Sequence, residues 1–403
     1  MSEYIKAVHR EHCKDKERYP IKSVGYEYAK TVQRYHESFP EYRMTPLAEL
    51  KNLAEELDVA SLKVKDESYR FGLNAFKVLG GSYCIGRYVA EQLHMDISEL
   101  SFEKIANEEV KSRLGEITFV TATDGNHGRG IAWTANRIGQ KSVVYMPKGS
   151  AKERLKNIMS LGADASITEM NYDDAVRYAS EQAEKEGWIL VQDTAWEGYE
   201  RIPYWIMQGY TTMAYEAYIQ LKGEQPTHIF LQAGVGAMAG ALTGFFADIY
   251  KGRNQPIITI VEPDKADCNY RTAKANDGTL HTVTGSMDTI MAGLACGEPS
   301  TIGWNILSDY ADNFVSIPDW IAEKGMRVLG NPLRDDPRVI SGESGAATIG
   351  LVTEILQNPT LGWLKDMLKL DNASRILCFS TEGDTDRENY RRIVWDGAIS
   401  NCE

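Results

Sequence analysis

Residues 68–84 read SYRFGLNAFKVLGGSYC and set one lysine, Lys77, among apolar neighbours. A solvated surface lysine is the ordinary reading, because lysines are rarely buried unless paired. Asn74, three residues earlier, could cap a helix and place Lys77 in its first turn. The partial positive charge there disfavours an ammonium and lowers the amine pKa. A neutral amine is what an imine-forming nucleophile needs.

Three other stretches could do chemistry. In LQAGVGAMAGALTGFF (231–246) small residues follow a strand and open a helix. Backbone N–H groups can close on an anion there, and the helix dipole favours it. The stretch lacks the Gly-Lys-Ser/Thr ending of the nucleotide P-loop and the dinucleotide glycine spacing. In TATDGNHGRG (121–130) Asn126 presents an amide from a glycine-flanked turn, with the Asp124 carboxylate beside it. Turn-forming or capping chemistry also accounts for either residue alone, and His127 reads as structural. In ILCFSTEGDTD (376–386) Ser380 and Thr381 offer hydroxyls where a strand empties into a polar turn. An imine-forming amine, a phosphate cup, an amide for a phenolic oxygen and a hydroxyl for a ring nitrogen together fit pyridoxal phosphate.

Alternating elements must hold these groups. EITFVTAT, KSVVYMP, ASITEM, WILVQD, THIFLQA, PIITIVEP and RILCFST read as strands, and helical stretches separate them. The pattern predicts an α/β protein with mostly parallel sheets flanked by helices, and ligands beyond the carboxyl ends of the strands. Residues 1–70 are more irregular and charged, and are expected to wrap the outside. At 403 residues two domains are expected. A large cofactor-binding domain is assigned to 1–84 and 205–403, and a small one to 85–204.

The net charge of −13 argues against nucleic acid as a main partner. No apolar run approaches a membrane span, and the charged start lacks the apolar core of a signal peptide. The cytoplasm is therefore the default. Six cysteines without a CxxC pair indicate neither a zinc ribbon nor a disulfide scaffold, and no metal is expected. Cys268 and Cys296 could form a bridge, though free thiols are the simpler reading.

Between about Lys65 and Asp386 the order of motifs resembles the fold-type-II pyridoxal-phosphate enzymes, the tryptophan synthase β and threonine dehydratase group. Within it NAFKVLGG, TDGNHGRG, AGVGAMAGA and SGESGAA resemble the ammonia-lyases that act on 2,3-diaminopropionate. The resemblance implies Lys77 as the imine lysine and Asn126 as the partner of the cofactor's 3′-oxygen. It implies Gly234, Val235, Gly236, Ala237 and Met238 as the phosphate loop, and Glu343 near the ring. Ser380 is implied as the pyridine-nitrogen partner, with Thr381 and Thr385 as less favoured substitutes. Dehydratases of the group usually carry a small or hydroxyl residue where this chain has Asp124. A carboxylate there suits a substrate with a second amino group, and could take the α-proton from the face opposite Lys77. Asp193 is a second candidate carboxylate for the substrate. The implied reaction is α,β-elimination of 2,3-diaminopropionate, the D form and by extension the L form, to pyruvate and two ammonia. The alternative is a serine/threonine dehydratase of the same fold; a binding protein with a dead cofactor site is a further rival. A homodimer is expected from the resemblance, and no regulatory domain is expected after the late serine turn.

Overall fold

Apolar, β-branched runs become strands where helices can cover both faces of a sheet. The computed structural model describes residues 4–12, 17–123, 125–252 and 255–399. Its strands are β1 (Lys6–His9), β2 (Leu47–Glu49), β3 (Ser61–Asp66), β4 (Thr118–Ala122), β5 (Lys141–Met146), β6 (Asp164–Ile167), β7 (Ile189–Leu190), β8 (His228–Gln232), β9 (Ile257–Pro263), β10 (Asn313–Ile317) and β11 (Arg375–Ser380). Seven of them form a sheet in the order β1-β10-β9-β8-β11-β3-β2, and the other four a sheet in the order β6-β5-β4-β7. The smaller sheet is parallel throughout. The larger is parallel inside and antiparallel at both edges, where β1 and β2 pair. The strands of the small sheet all fall within 85–204, and those of the large sheet outside it. The α/β class expected from the sequence is the class observed.

The expectation that residues 1–70 wrap the outside is corrected. This segment supplies β1, β2 and β3, and β3 lies inside the large sheet beside β11. SLKVKD hides its strand character because its charges are buried rather than solvated. Lys65 is fully buried, and its Nζ donates to Glu216 Oε2 at 2.7 Å, Gln220 Oε1 at 2.8 Å and Thr45 O at 2.7 Å. WILVQD, expected as a strand, pairs over only two residues.

A helix pair joins the sheets to the site. The Val78–Gln92 helix packs between the Arg201–Gln220 and Asn126–Arg137 helices. Small residues permit this approach: a Cβ on Gly209 would lie 2.4 Å from Leu79 O and 2.8 Å from Gly80 Cα. The position of Lys77, one residue before the first helix, is thereby tied to a rigid contact.

Candidate active site

The chemistry-bearing stretches leave the carboxyl ends of four strands. β3 leads to Lys77, β4 to the asparagine turn, β8 to the glycine-rich loop and β11 to the late polar turn. One cleft receives groups from all four. Lys77, Asn126, Asp193, Tyr210, Gln232, residues 233–239, Thr381 and Glu382 line it. A wider cleft of about 530 Å³ adjoins it; Lys77, Gly293 and Cys296 line both.

Lys77 itself stands at the N-cap of the Val78–Gln92 helix. Asn74 does not cap that helix, which corrects the sequence expectation. It takes a left-handed backbone (φ 60°), and its amide donates to Asp384 Oδ1 at 3.0 Å. Backbone bonds from Phe76 N to Thr381 O and from Gly383 N to Asn74 O, both 3.0 Å, strap the lysine segment to the polar turn. The Phe76 ring lies 4.8 Å from that of Tyr210. The side chain of Lys77 is 17% exposed, and its Nζ donates to Asp193 Oδ2 at 2.5 Å. Burial alone raises the Asp193 carboxyl, but the charges of Lys77 and His127 and the bond from Lys77 outweigh it and hold it at about 2. His127 is buried, with its Nε2 against Val191 O at 2.8 Å. Asp193 thus joins the lysine directly. Asp124 lies outside the described residues.

Asn126 opens the Asn126–Arg137 helix and turns its amide to Glu382 Oε2 at 2.6 Å. Glu382 also accepts from Ser344 N at 3.2 Å and Thr385 Oγ1 at 3.3 Å. Ser380 ends β11. Its Oγ donates to Ser341 Oγ at 2.8 Å, and it does not line the cleft. The next residue, Thr381, just past the end of β11, lines it and accepts from Gln232 Nε2 at 3.0 Å. Glu343 lines the wider cleft rather than the part beside the glycine-rich loop. Its Oε1 accepts from Asn389 Nδ2. Burial, and then the charge of Glu382, push its carboxyl up to about 7. Cys268 and Cys296 are not bridged to each other.

Glu382, Gln232, Tyr210 and Asn269 went unmarked in the sequence. Only Glu382 carried any signal, its place in the late polar turn. Asn269 acts on the glycine-rich loop from below: its Nδ2 donates to Gly234 O and to Glu262 Oε1, each at 2.9 Å.

These residues fit pyridoxal phosphate. The glycine-rich loop ends at Gly236, left-handed at φ 91°, which caps the Ala237–Ile249 helix. The first N–H groups of a helix have no acceptor inside it and favour an anion. Gly240 makes the first bond inside the helix, to Gly236 O at 2.8 Å, which leaves the N–H groups of Ala237, Met238 and Ala239 for such a ligand. Tyr210 Oη and Gln232 Oε1 are buried cleft-lining atoms without a protein partner among the described residues. Burial pushes the Tyr210 hydroxyl pKa far up, so it stays a neutral donor.

The family model described as "Pyridoxal-phosphate dependent enzyme" matches residues 39–361. The chain is 52% identical to the diaminopropionate ammonia-lyase of Escherichia coli (strain K12) over 92% of each chain. The holo crystal structure of the Escherichia coli diaminopropionate ammonia lyase superposes with a TM-score of 0.91 at 48% identity, covering 98% of both chains. That enzyme's complex with an aminoacrylate-PLP azomethine reaction intermediate superposes at 0.88 and 48% identity, over 98% of this chain and 97% of that one. This chain belongs to the pyridoxal-phosphate-dependent enzymes and, within them, to the diaminopropionate ammonia-lyase family.

Proposed function

We propose that the chain binds pyridoxal 5′-phosphate through Lys77 and eliminates the β-amino group of 2,3-diaminopropionate, yielding pyruvate and two ammonia. The observation that carries this reading is the Lys77–Asp193 pair, 2.5 Å apart, in a cleft shared with the glycine-rich loop. Pyridoxal phosphate, when bound, supplies an electron sink for a carbanion at the substrate α-carbon. Backbone N–H groups of Gly234, Val235, Gly236, Ala237 and Met238 hold its phosphate. Asn126 holds its 3′-oxygen, and Thr381, in place of Ser380, holds its ring nitrogen.

Lys77 Nζ takes the α-proton from one enantiomer and Asp124 from the other. Asp193, ionised at every working pH, stabilises the ammonium formed when Lys77 Nζ takes that proton and draws the substrate's cationic β-amino group into the cleft. The β-amino group, drawn in as its ammonium, leaves as ammonia without a further proton, while Glu343, which lines the adjoining wider cleft, stays neutral up to about pH 7. The assigned domains, 1–84 with 205–403 and 85–204, close on the cleft from its two sides. A homodimer in the cytoplasm completes the proposal. Among the described residues no helix is long and apolar enough to cross a membrane.

The test is pyruvate release from D- and L-2,3-diaminopropionate and from D- and L-serine, measured side by side on the holoenzyme. Faster release from diaminopropionate supports the proposal. Release from serine alone overturns it in favour of a dehydratase.

A further inference from the structure

A separate cavity of about 540 Å³ lies behind the glycine-rich loop, whose Val235 forms part of its wall. Five carboxylates line it, from Asp173, Glu181, Glu184, Glu197 and Glu298, against one guanidinium, Arg177. That guanidinium is already engaged, by Asp174 Oδ1 at 2.9 Å and Glu298 Oε1 at 3.0 Å. The remaining wall mixes apolar residues with the hydroxyls of Ser180, Thr282 and Thr301 and carries the aromatic rings of Tyr172 and Trp196. The Trp196 ring is stacked on Tyr199 at 4.4 Å, which fixes its plane. Thr194 also lines the cavity; it is 8% exposed, and its hydroxyl has no partner among the described residues.

We propose that this cavity is a second small-molecule site, distinct from the Lys77 cleft, that takes a short aliphatic diamine as its dication. Excess negative charge selects a cation. The Trp196 ring adds a cation–π face, and the Thr194 hydroxyl a buried acceptor. The volume decides against a bare ammonium ion, since a water-sized ligand needs only about 30 Å³. The carboxylates are too dispersed for a metal, because among the described residues no group of three or more His, Cys, Asp or Glu is arranged to hold one. Burial, and then Glu298, push the Asp173 carboxyl up to about 6 although Arg177 lowers it, so the one guanidinium does not offset the carboxylates around it.

The site bears on the cleft through its walls. Ser300 N donates to Val235 O at 2.7 Å, and Thr301 N to Ala195 O at 3.3 Å. A ligand there joins the 194–197 segment, the 298–301 segment and the glycine-rich loop.

The test is calorimetric titration of the holoenzyme with 1,4-diaminobutane, n-butylamine and ammonium chloride. The expected result is one saturable site per chain for the diamine, at least tenfold tighter than for butylamine. Asp173→Asn, Glu298→Gln and the exposed Glu181→Gln should each weaken it tenfold or more, with turnover of 2,3-diaminopropionate unchanged. Three results would each overturn the proposal: no saturable diamine binding, binding displaced by substrate in the Lys77 cleft, or binding indifferent to all three substitutions.

Discussion

Asp193 and Glu343 are carboxyl groups driven in opposite directions, and each predicts its own behaviour. Asp193 is held at about 2 by the charges of Lys77 and His127 against the cost of burial. Asp193→Asn keeps the shape and removes the charge beside Nζ. It should lower kcat by about 10²–10³-fold at unchanged cofactor content; a rate within twofold of the parent contradicts the assigned role. Glu343 is raised from 4.5 to about 7. A carboxyl whose folded pKa is raised stabilises the fold fully below its unfolded value, and loses that contribution as pH rises through its folded value. The parent should therefore lose about 3 kcal/mol relative to Glu343→Gln between pH 4.5 and 7. Denaturant unfolding at several pH values reads the difference, and parallel curves would refute the shift.

Among the elements, the glycine-rich loop depends on a neighbour the sequence did not advertise. Asn269 opens no cleft surface, yet its amide joins Gly234 O to the buried Glu262. Asn269→Ala leaves that carbonyl and that carboxyl short of a donor, at a cost of about 1–3 kcal/mol. Cofactor affinity should fall roughly five- to 150-fold by that cost, with far-ultraviolet circular dichroism unchanged. Affinity equal to the parent's counts against the buttress. Legibility follows the same division. β4, β5, β8, β9 and β11 were readable because buried parallel strands are continuous apolar runs. β3 was not, because Lys63 and Lys65 look solvated until Glu224 and Glu216 supply their partners, as does Asp66 until Ser68 N does. The glycine and asparagine turns were readable because tight backbone geometry demands those residues. Ser380 and Thr381 are adjacent hydroxyls, and nothing local in the sequence says that Thr381 lines the cleft. Tyr210 and Gln232 sit mid-helix and at a strand end, where nothing local separates them from core residues.

Across the whole molecule, a buried ionic network ties the first seventy residues to the helix behind the site. Arg70 donates from Nη1 and Nη2 to Glu216 at 2.8 Å each and from Nε to Glu67 Oε2 at 2.8 Å, while Lys65 completes Glu216. All four side chains are fully buried. Burial raises the Glu216 carboxyl, but Arg70 and Lys65 outweigh it and hold it at about 2. Its sign is the reverse of Glu343: the stability is complete above about 4.5 and is lost as pH falls toward 2. Glu216→Gln leaves Lys65 without a carboxylate and Arg70 with Glu67 alone, and should cost about 3–5 kcal/mol, read as a lower denaturant midpoint at pH 7. It should also flatten the parent's acid slope below pH 4.5. A midpoint unchanged at neutral pH would show the network to be dispensable.

The account as a whole turns on which amine carries the cofactor. Reduction of the holoenzyme with borohydride fixes that bond, and peptide mapping then locates the label. The account predicts one labelled peptide, the one containing Lys77, and a label lost in Lys77→Ala. Label on a different lysine, or none, contradicts it.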